Sequence, residues 1–462
     1  MSEQRRNAIA GAGVLGVALA CGIGLWLSAM PAVTALSAAL VVFAVGFWAL
    51  RLLPEALTGL IFLVGVVVLT PITPGTAFAG FATSAFWLIF AGMVLSACAT
   101  RTGLSAWLAD RILNRDTAVS GYGRLTAAVV VFAAGLALVL PATLGRVALL
   151  VPLVAALAER LGYASHGPGR TGLILAAAIG TYVVPTTFLP ANLPNIVLAG
   201  SLESIYAITP TFGEYLLLHF PVIGLIKGAA LILIVTRLYN ETPGRPEPAP
   251  EADKGLQGPA RRLGVVLCIT LAFWASDMLH GYSAAWVGMT AAIVCLLPAT
   301  RILGFDEVPF ASIFPALLYL GAVLGLGAVM VESGAGAALS RALLAVLPLE
   351  GASDAMVLAM MTLTAIVTSL AATTPGAPAI TAPLFGDFAE MAGWSVEAVG
   401  MAQVLGYATP LLPYTLPPLI LAVTMGRVPL REATRVLLLL AVTTTPVVLP
   451  AAYLWWGVLG WF

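Results

Sequence analysis

Apolar runs of about 20 residues, separated by short polar or proline-bearing connections, recur from one end of the chain to the other. As helices, runs of that length span the roughly 30 Å hydrocarbon core of a bilayer. The pattern predicts spans over 8–29, 34–50 and 55–71, with RLLPEA between the last two, and a fourth over about 83–101. From 103 to 116 the reading changes. Leu104, Trp107, Leu108 and Ile112 share one helical face while Asp110, Arg111, Arg115 and Asp116 lie elsewhere, which predicts a helix along the membrane interface. Residues 122–162 are too long for one crossing and are interrupted by LPATLGR, so a re-entrant helical hairpin with its tip at the break is expected. Residues 171–200 read as a helix interrupted at PANLPN, and 213–237 as a span containing His219 and Lys227.

After NETPGRPEPAPEADKGLQGPARR, a polar, proline-rich linker, the plan repeats. Spans at 262–279, 283–300 and 312–332 precede a short helix over 335–347. A hairpin over 352–393 breaks at TTPGAP, a helix over 395–424 breaks at TPLLPYTLPP, and 433–459 is the last span. Laid over each other, ATLGRVALLVPL from Ala142 matches TTPGAPAITAPL from Thr373, and FLPANLP from Phe188 matches LLPYTLP from Leu411. Five spans separate the two hairpin tips. That number is odd, so the copies have opposite orientations in the membrane. The expected fold is an all-α polytopic membrane protein with an inverted-topology repeat, about 11 transmembrane helices and two re-entrant hairpins. It divides into N-terminal scaffold helices with the interfacial helix (1–117), a first transport unit (118–238), a cytoplasmic linker (239–260), a second scaffold unit (261–350) and a second transport unit (351–462).

Composition agrees: 60% of residues are hydrophobic and 9% charged, with a mean hydropathy of +1.02. The formal net charge is zero, but the signs are sorted. A cytoplasmic N-terminus puts Arg5, Arg6, Arg51, Arg101, Arg124, Arg160, Arg237, Arg261, Arg301, Arg427 and almost every other basic residue inside. Only Arg341 is left outside, beside Glu203, Glu214, Glu350 and Glu390, the asymmetry expected of cytoplasmic loops. The C-terminus then lies on the opposite side of what is expected to be a bacterial inner membrane. These arginines read as orienting charges, not as a nucleic-acid surface. The basic MSEQRR reads as the cytoplasmic flank of the first helix rather than part of a signal peptide. Cys21, Cys98, Cys268 and Cys295 stand singly in apolar stretches and read as small core residues. No HExxH, Gly-x-Ser-x-Gly or phosphate-binding loop occurs, which argues against an enzyme and against nucleotide-driven transport.

The candidate chemistry lies at the breaks. A charge at mid-membrane costs at least ~2.5 to 3.5 kcal/mol and a helix proline roughly 3 kcal/mol, yet Arg146 follows the first tip, and Pro190 and Pro194 interrupt the next helix. Pro190 frees the carbonyl of Thr186 and Pro194 that of Pro190; in the second copy Pro417 frees Pro413 and Pro418 frees Tyr414. Asn192, Asn195 and Thr415 stand beside these breaks. The half-helices starting there direct their amides and partial positive charge toward an anion. Arg146 can grip a carboxylate or sulfate with two parallel hydrogen bonds; the alternative is a guanidinium that snorkels or pairs with backbone carbonyls. Thr143, Thr373 and Thr374 offer hydroxyls, and Gly145 and Gly376 permit close backbone approach. Lys227 is the candidate for coupling or charge compensation, unless its stem carries it to the interface. Tyr414 and Gln403 are second-tier candidates. His219 is a weaker one, and His166 reads as a loop residue. Trp455, Trp456 and Trp461 read as interface anchors.

FWALRLLPEALTGLIFL resembles the TEALP and TALLP stretch of the divalent anion:sodium symporter (DASS) family, in the ion transporter superfamily. AFAGFATSAFWLIFAGMVLSACATRTGLSAWLADRIL is similar to that family's GF, VWLIF and KTGL block, and LPYTLPPLIL resembles its second interrupted helix. The resemblance implies an elevator-type secondary transporter, a homodimer in the bilayer, carrying dicarboxylates, tricarboxylates or sulfate. Its hallmark is a Ser-Asn-Thr triplet at each tip. Here Ala142, Thr143 and Leu144, and then Thr373, Thr374 and Pro375, stand in that place, and both asparagines are missing. A sodium site of that kind would rest on backbone near Thr143, Pro190, Thr374 and Pro413. Arg146 lies two residues after the triplet, which resembles SNTARAGG of the 2-oxoglutarate/malate translocator branch. That resemblance implies exchange, or proton-linked movement, with a fixed protein charge in place of sodium. The substrate set is then Arg146, Thr143, Gly145, Asn192, Asn195, Thr373, Thr374, Gly376, Thr415 and Pro417, with Lys227 compensating charge and no resident cofactor. Sodium-coupled symport is the alternative within the class. An anion channel or a non-transporting sensor is the alternative outside it, separable by single-channel currents or by binding without flux.

Overall fold

An apolar segment in hydrocarbon has to close its own backbone hydrogen bonds, and every predicted span is helical. The structure, a computed structural model, describes residues 3–112, 121–140, 142–244, 256, 258–347, 349 and 351–461. The first half contains α1 (Glu3–Leu27), α2 (Ala32–Leu50), α3 (Glu55–Leu69), α4 (Ser84–Arg101), α5 (Leu104–Ile112), α6 (Tyr122–Val139), α7 (Thr143–Arg160), α8 (Pro168–Val183), α9 (Leu193–Tyr206) and α10 (Phe212–Tyr239). The second contains α11 (Gly258–Ala275), α12 (Ala284–Leu296), α13 (Phe310–Glu332), α14 (Ala335–Leu344), α15 (Asp354–Ala372), α16 (Gly376–Thr381), α17 (Phe385–Ala392), α18 (Val396–Tyr407), α19 (Pro417–Gly426) and α20 (Leu430–Leu459). Among the described residues nine helices are long and apolar enough to cross a membrane. The expected continuation of α5 through Arg115 and Asp116 lies outside the described residues, as does most of the linker.

Prolines decide where the structure departs from the expected boundaries. The first broken helix stops at Val183, well before PANLPN, and continues as short 3-10 turns over Pro185–Thr187 and Leu189–Ala191. Pro185 has no N–H for the carbonyl four residues back, so the helix ends there. The arm of the second hairpin after the tip is also broken, by a 3-10 turn over Ala382–Leu384, whereas α7 runs unbroken through Pro152. In α10, Pro221 lies in a π-turn over Phe220–Gly224. The Leu217 carbonyl that Pro221 cannot serve accepts the Trp455 indole N–H at 2.9 Å. Trp456 is a packing residue and not an interface anchor, being fully buried with its ring 5.9 Å from that of His219, while Trp455 is half-buried. Cys98 and Cys295 are buried as expected, but Cys268 is exposed and Cys21 half-buried, on helices α11 and α1.

The repeat is visible in side-chain bonds as well as in helix order. Arg101, at the end of α4, pairs with Glu307 in the connection before α13. The offset that superposes the two tips carries Arg101 to Glu332, at the end of α13, and carries Thr76, in the connection before α4, to Glu307. Glu332 and Thr76 are also hydrogen bonded to each other. Helix packing follows the same rule: α3 on α13 matches α12 on α4, α6 on α8 matches α15 on α18, and α7 on α19 matches α16 on α9. One departure from the match bears on movement. α9 packs against α4 and α13, and α16 against α13, but their repeat mates α19 and α7 make no comparable contact with that group among the described residues.

Candidate functional site

Both hairpin tips meet the breaks, and they do so at matching positions of the repeat. Thr143, which opens α7, donates its hydroxyl to Asn192 Oδ1 at 2.8 Å. Thr374, the repeat mate of Thr143, donates its N–H (3.1 Å) and hydroxyl (3.2 Å) to the carbonyl of Thr415, the repeat mate of Asn192. Each tip is thus pinned to its broken helix by a threonine.

Each break also holds a buried cation. Arg146 is fully buried, and its Nη1 donates to the Leu140 carbonyl at 2.7 Å. Its Nη2 is directed at the carbonyls of Thr181 (2.8 Å) and Ala191 (2.9 Å) and at Asn192 Oδ1 (3.0 Å). The Thr181 carbonyl is the one Pro185 cannot serve, so the guanidinium caps the end of α8 and ties it to the tip. These are the bonds of a guanidinium paired with backbone carbonyls and an amide oxygen. Lys227 is buried too, and its stem does not run to the interface: Nζ donates to the Ala408 carbonyl at 2.8 Å and to the Thr409 hydroxyl. Ala408 follows the last turn of α18, so this ammonium caps the first half of the second broken helix. A cation at a helix C-terminus meets both unpaired carbonyls and the negative end of the helix dipole.

The remaining expected residues divide by what they touch. Asn192 Nδ2 donates to Tyr182 O at 3.0 Å and Asn195 Nδ2 to Phe188 O at 2.9 Å; both hold the first break in shape. Asn195 Oδ1 is buried with no hydrogen-bond partner among the described residues. Thr415 returns its hydroxyl to Leu412 O, Pro417 starts α19, and the freed Pro413 carbonyl is taken by Leu416 N. Pro417 and Pro418 have no N–H, so α19 offers fewer amides at its start than α9 does. Gly145 is exposed, and a Cβ there would make only an ordinary contact with Ala142 Cβ at 3.9 Å; Gly376 is buried against Ala372. Tyr414 is largely exposed and bonds Leu370 O, and Gln403 reaches the Met361 sulfur. His219 is buried with neither ring nitrogen bonded among the described residues, and His166 lies on an exposed loop.

Thr373 at the second tip has φ 69 and ψ 161, a region that glycine tolerates and a β-branched residue does not. Its side chain is turned into the protein, the residue being only 6% exposed. Relief of this strain predicts that Thr373→Gly raises the melting temperature, by the equivalent of ~1 kcal/mol after glycine's entropy cost. A lower melting temperature would count against strain at the tip.

Three residues of the site were not anticipated. Tyr182 donates to Tyr407 O at 2.8 Å, and the Tyr215 hydroxyl bonds both Thr186 O (2.9 Å) and the Tyr407 hydroxyl (3.1 Å). The carbonyl that Pro190 frees is therefore used by Tyr215, and the two breaks are joined through the middle of the protein. One sequence signal was available: Tyr-x-x-Pro ends the first half of both broken helices, at Tyr182–Pro185 and Tyr407–Pro410. An apolar groove of about 390 Å³ between α11 and α12, lined by Phe273, Tyr282 and Trp286, includes none of these residues.

Comparison with known proteins places this arrangement. The transporter YdaH of Alcanivorax borkumensis is similar in structure, with a TM-score of 0.56 and 16% identity over 83% of this chain and 87% of that one. MtrF of Neisseria gonorrhoeae, described as illuminating a class of antimetabolite efflux pumps, is similar with a TM-score of 0.54 and 13% identity over 89% and 96%. At these identities the likeness speaks to the fold. A protein of Cupriavidus necator described as a membrane protein is 22% identical over 398 residues, covering 84% of this chain and 77% of that one. Residues 39–408 match the family model described as citrate transporter (CitMHS), so this chain is an integral, multi-pass membrane protein belonging to the citrate transporter family.

Proposed function

We propose that this protein is a secondary-active carrier of a small organic anion with two or three carboxylates, citrate being the first candidate because of the family to which the chain belongs. The observation that carries the proposal is the pair of buried cations, Arg146 and Lys227, one at each break. Two fixed positive charges, together with the amides at the starts of α7 and α9, make the space between the tips favourable to an anion. Arg146 acts on it through its field and by holding the tip in place. The Thr373 hydroxyl is the direct contact from the other tip.

The hairpins and broken helices form the moving unit over α3, α4, α12 and α13, as in an elevator. The uneven packing of α9 and α16, compared with α19 and α7, supports this reading, since it is what one end of a stroke looks like. With a cytoplasmic N-terminus, that end leaves α7 and α19 toward the cytoplasm. Carrying both charges without cargo against the membrane potential costs ~2.3 kcal/mol per charge per 100 mV. A bound dianion cancels this, which favours exchange or proton-linked transport in the manner of the 2-oxoglutarate/malate branch. One observation favours sodium-coupled symport instead: Asn195 Oδ1 is a buried acceptor with no partner at the first break. The carrier is expected to work as a homodimer in the bacterial inner membrane.

A thermal-shift panel of citrate, succinate, sulfate and acetate, with and without sodium, tests the reading, because a ligand stabilises the state it binds. Citrate or succinate is expected to raise the melting temperature equally in sodium and choline buffers, and acetate to leave it unchanged. Stabilisation only in sodium would favour symport, and no response to any polycarboxylate would sink the assignment.

A further inference from the structure

We infer that Glu203 is a one-sided latch that holds the moving unit at the end of its stroke seen here, an inference resting on the elevator reading above. Glu203 lies on α9, and its carboxylate spans the boundary to α4. Oε2 accepts the Ser84 N–H at 2.9 Å and the Ser84 hydroxyl at 2.7 Å, while Oε1 accepts the same N–H at 3.1 Å. Ser84 is the first residue of α4, so the carboxylate also meets the positive end of that helix. One turn earlier Gly200 allows α9 to lie close: a Cβ there would come within 2.8 Å of Ala85 Cβ and 2.9 Å of a Leu324 methyl. One turn later the Tyr206 hydroxyl bonds Ala382 O (2.8 Å) and Gly386 N (3.0 Å), which joins α9 to the second hairpin. The same strip of α9 therefore carries both the docking contact and the link to the tip that travels with it.

The repeat explains why the latch is one-sided. The offset between the broken helices carries Glu203 to Gly426, and the offset between the tips carries Ser84 to Pro315. The mirrored position has neither a carboxylate nor an N–H to receive it, so docking at the opposite end has no equivalent bond. The latch biases the resting carrier toward the docked state.

In a background with Cys21, Cys98, Cys268 and Cys295 replaced, the pair Ile205→Cys and Gly327→Cys reports docking, because a Cβ at Gly327 lies 3.3 Å from Ile205 Cδ1. Bridging the pair with a short bifunctional thiol reagent is expected to stop citrate exchange in proteoliposomes. If bridged carrier still exchanges citrate, the moving-unit reading fails whatever Glu203 does. With exchange blocked, Glu203→Gln is expected to lower the docked-to-undocked ratio about tenfold, the equivalent of ~1.4 kcal/mol, and with it the bridging rate, by up to that factor. Ser84→Pro is the second variant. It removes both donors, proline is well tolerated at the first position of a helix, and Thr83 before it already has the extended backbone (φ −73, ψ 149) that proline requires. A bridging rate in Glu203→Gln or Ser84→Pro equal to that of the parent pair overturns the latch and leaves the elevator reading standing.

Discussion

Arg146→Ala is expected to reduce transport to below about one per cent and to destabilise the protein by ~3–5 kcal/mol, the usual cost of removing one partner from a buried charged network. The reason lies in what the guanidinium holds. Its donors serve carbonyls of Leu140, Thr181 and Ala191 and the amide oxygen of Asn192. Asn192 Oδ1 keeps the Thr143 hydroxyl, but alanine leaves the three carbonyls buried without this donor, each costing about 1–3 kcal/mol when unmet. It also frees the first tip from the end of α8, so the anion loses a field and a formed site at once. Arg146→Lys keeps the charge but not the planar fork that reaches several carbonyls, and should recover stability only in part. Melting temperature and citrate exchange on the same preparations decide the matter. Exchange by Arg146→Ala at the parent rate and apparent affinity would remove this residue from the mechanism.

Lys227→Met separates function from folding. Methionine fills a similar volume without a charge: it removes the desolvation cost of a buried ammonium, which offsets the roughly 1–3 kcal/mol of leaving the Ala408 carbonyl without its donor. The expected result is a melting temperature close to that of the parent and a fall in transport of roughly two orders of magnitude. A loss of about 2.7 kcal/mol corresponds to such a fall, and one buried charge at an effective dielectric near 20 acts on a charge about 4 Å away with about 4 kcal/mol before desolvation. Lys227→Arg keeps the charge but presents a larger head to Ala408 O and Thr409. It is expected to transport better than methionine and worse than lysine. Equal transport by the methionine and parent proteins would show that the ammonium only caps α18.

These two cations mark how far the site was legible in the chain itself. Arg146 and Lys227 stood out as charges in apolar runs, and the matched breaks pointed to Thr143, Thr374, Asn192 and Thr415, which the structure pairs two by two. The pairing followed from the repeat, since a bond made in one copy is expected at the shifted positions of the other. The targets of the cations were not legible. A guanidinium has five donors and many acceptors within reach, and only the fold brings the end of α8 to the first tip and the end of α18 to α10. Tyr215 reads like any aromatic residue of a span until Thr186 O and Tyr407 are seen beside it.

The chain alone determined the apolar helices, the interruptions and their duplication, because each is written in local terms: apolar length, an N–H that proline lacks, a shift that superposes one half on the other. Tertiary structure decided which orphaned carbonyl receives which donor, where the first break begins, that Trp456 turns inward, and that α9 docks on α4 while α19 does not. Those outcomes depend on groups that are distant in sequence and compete for the same few partners in a solvent that supplies none, and the competition is settled only when the helices are packed.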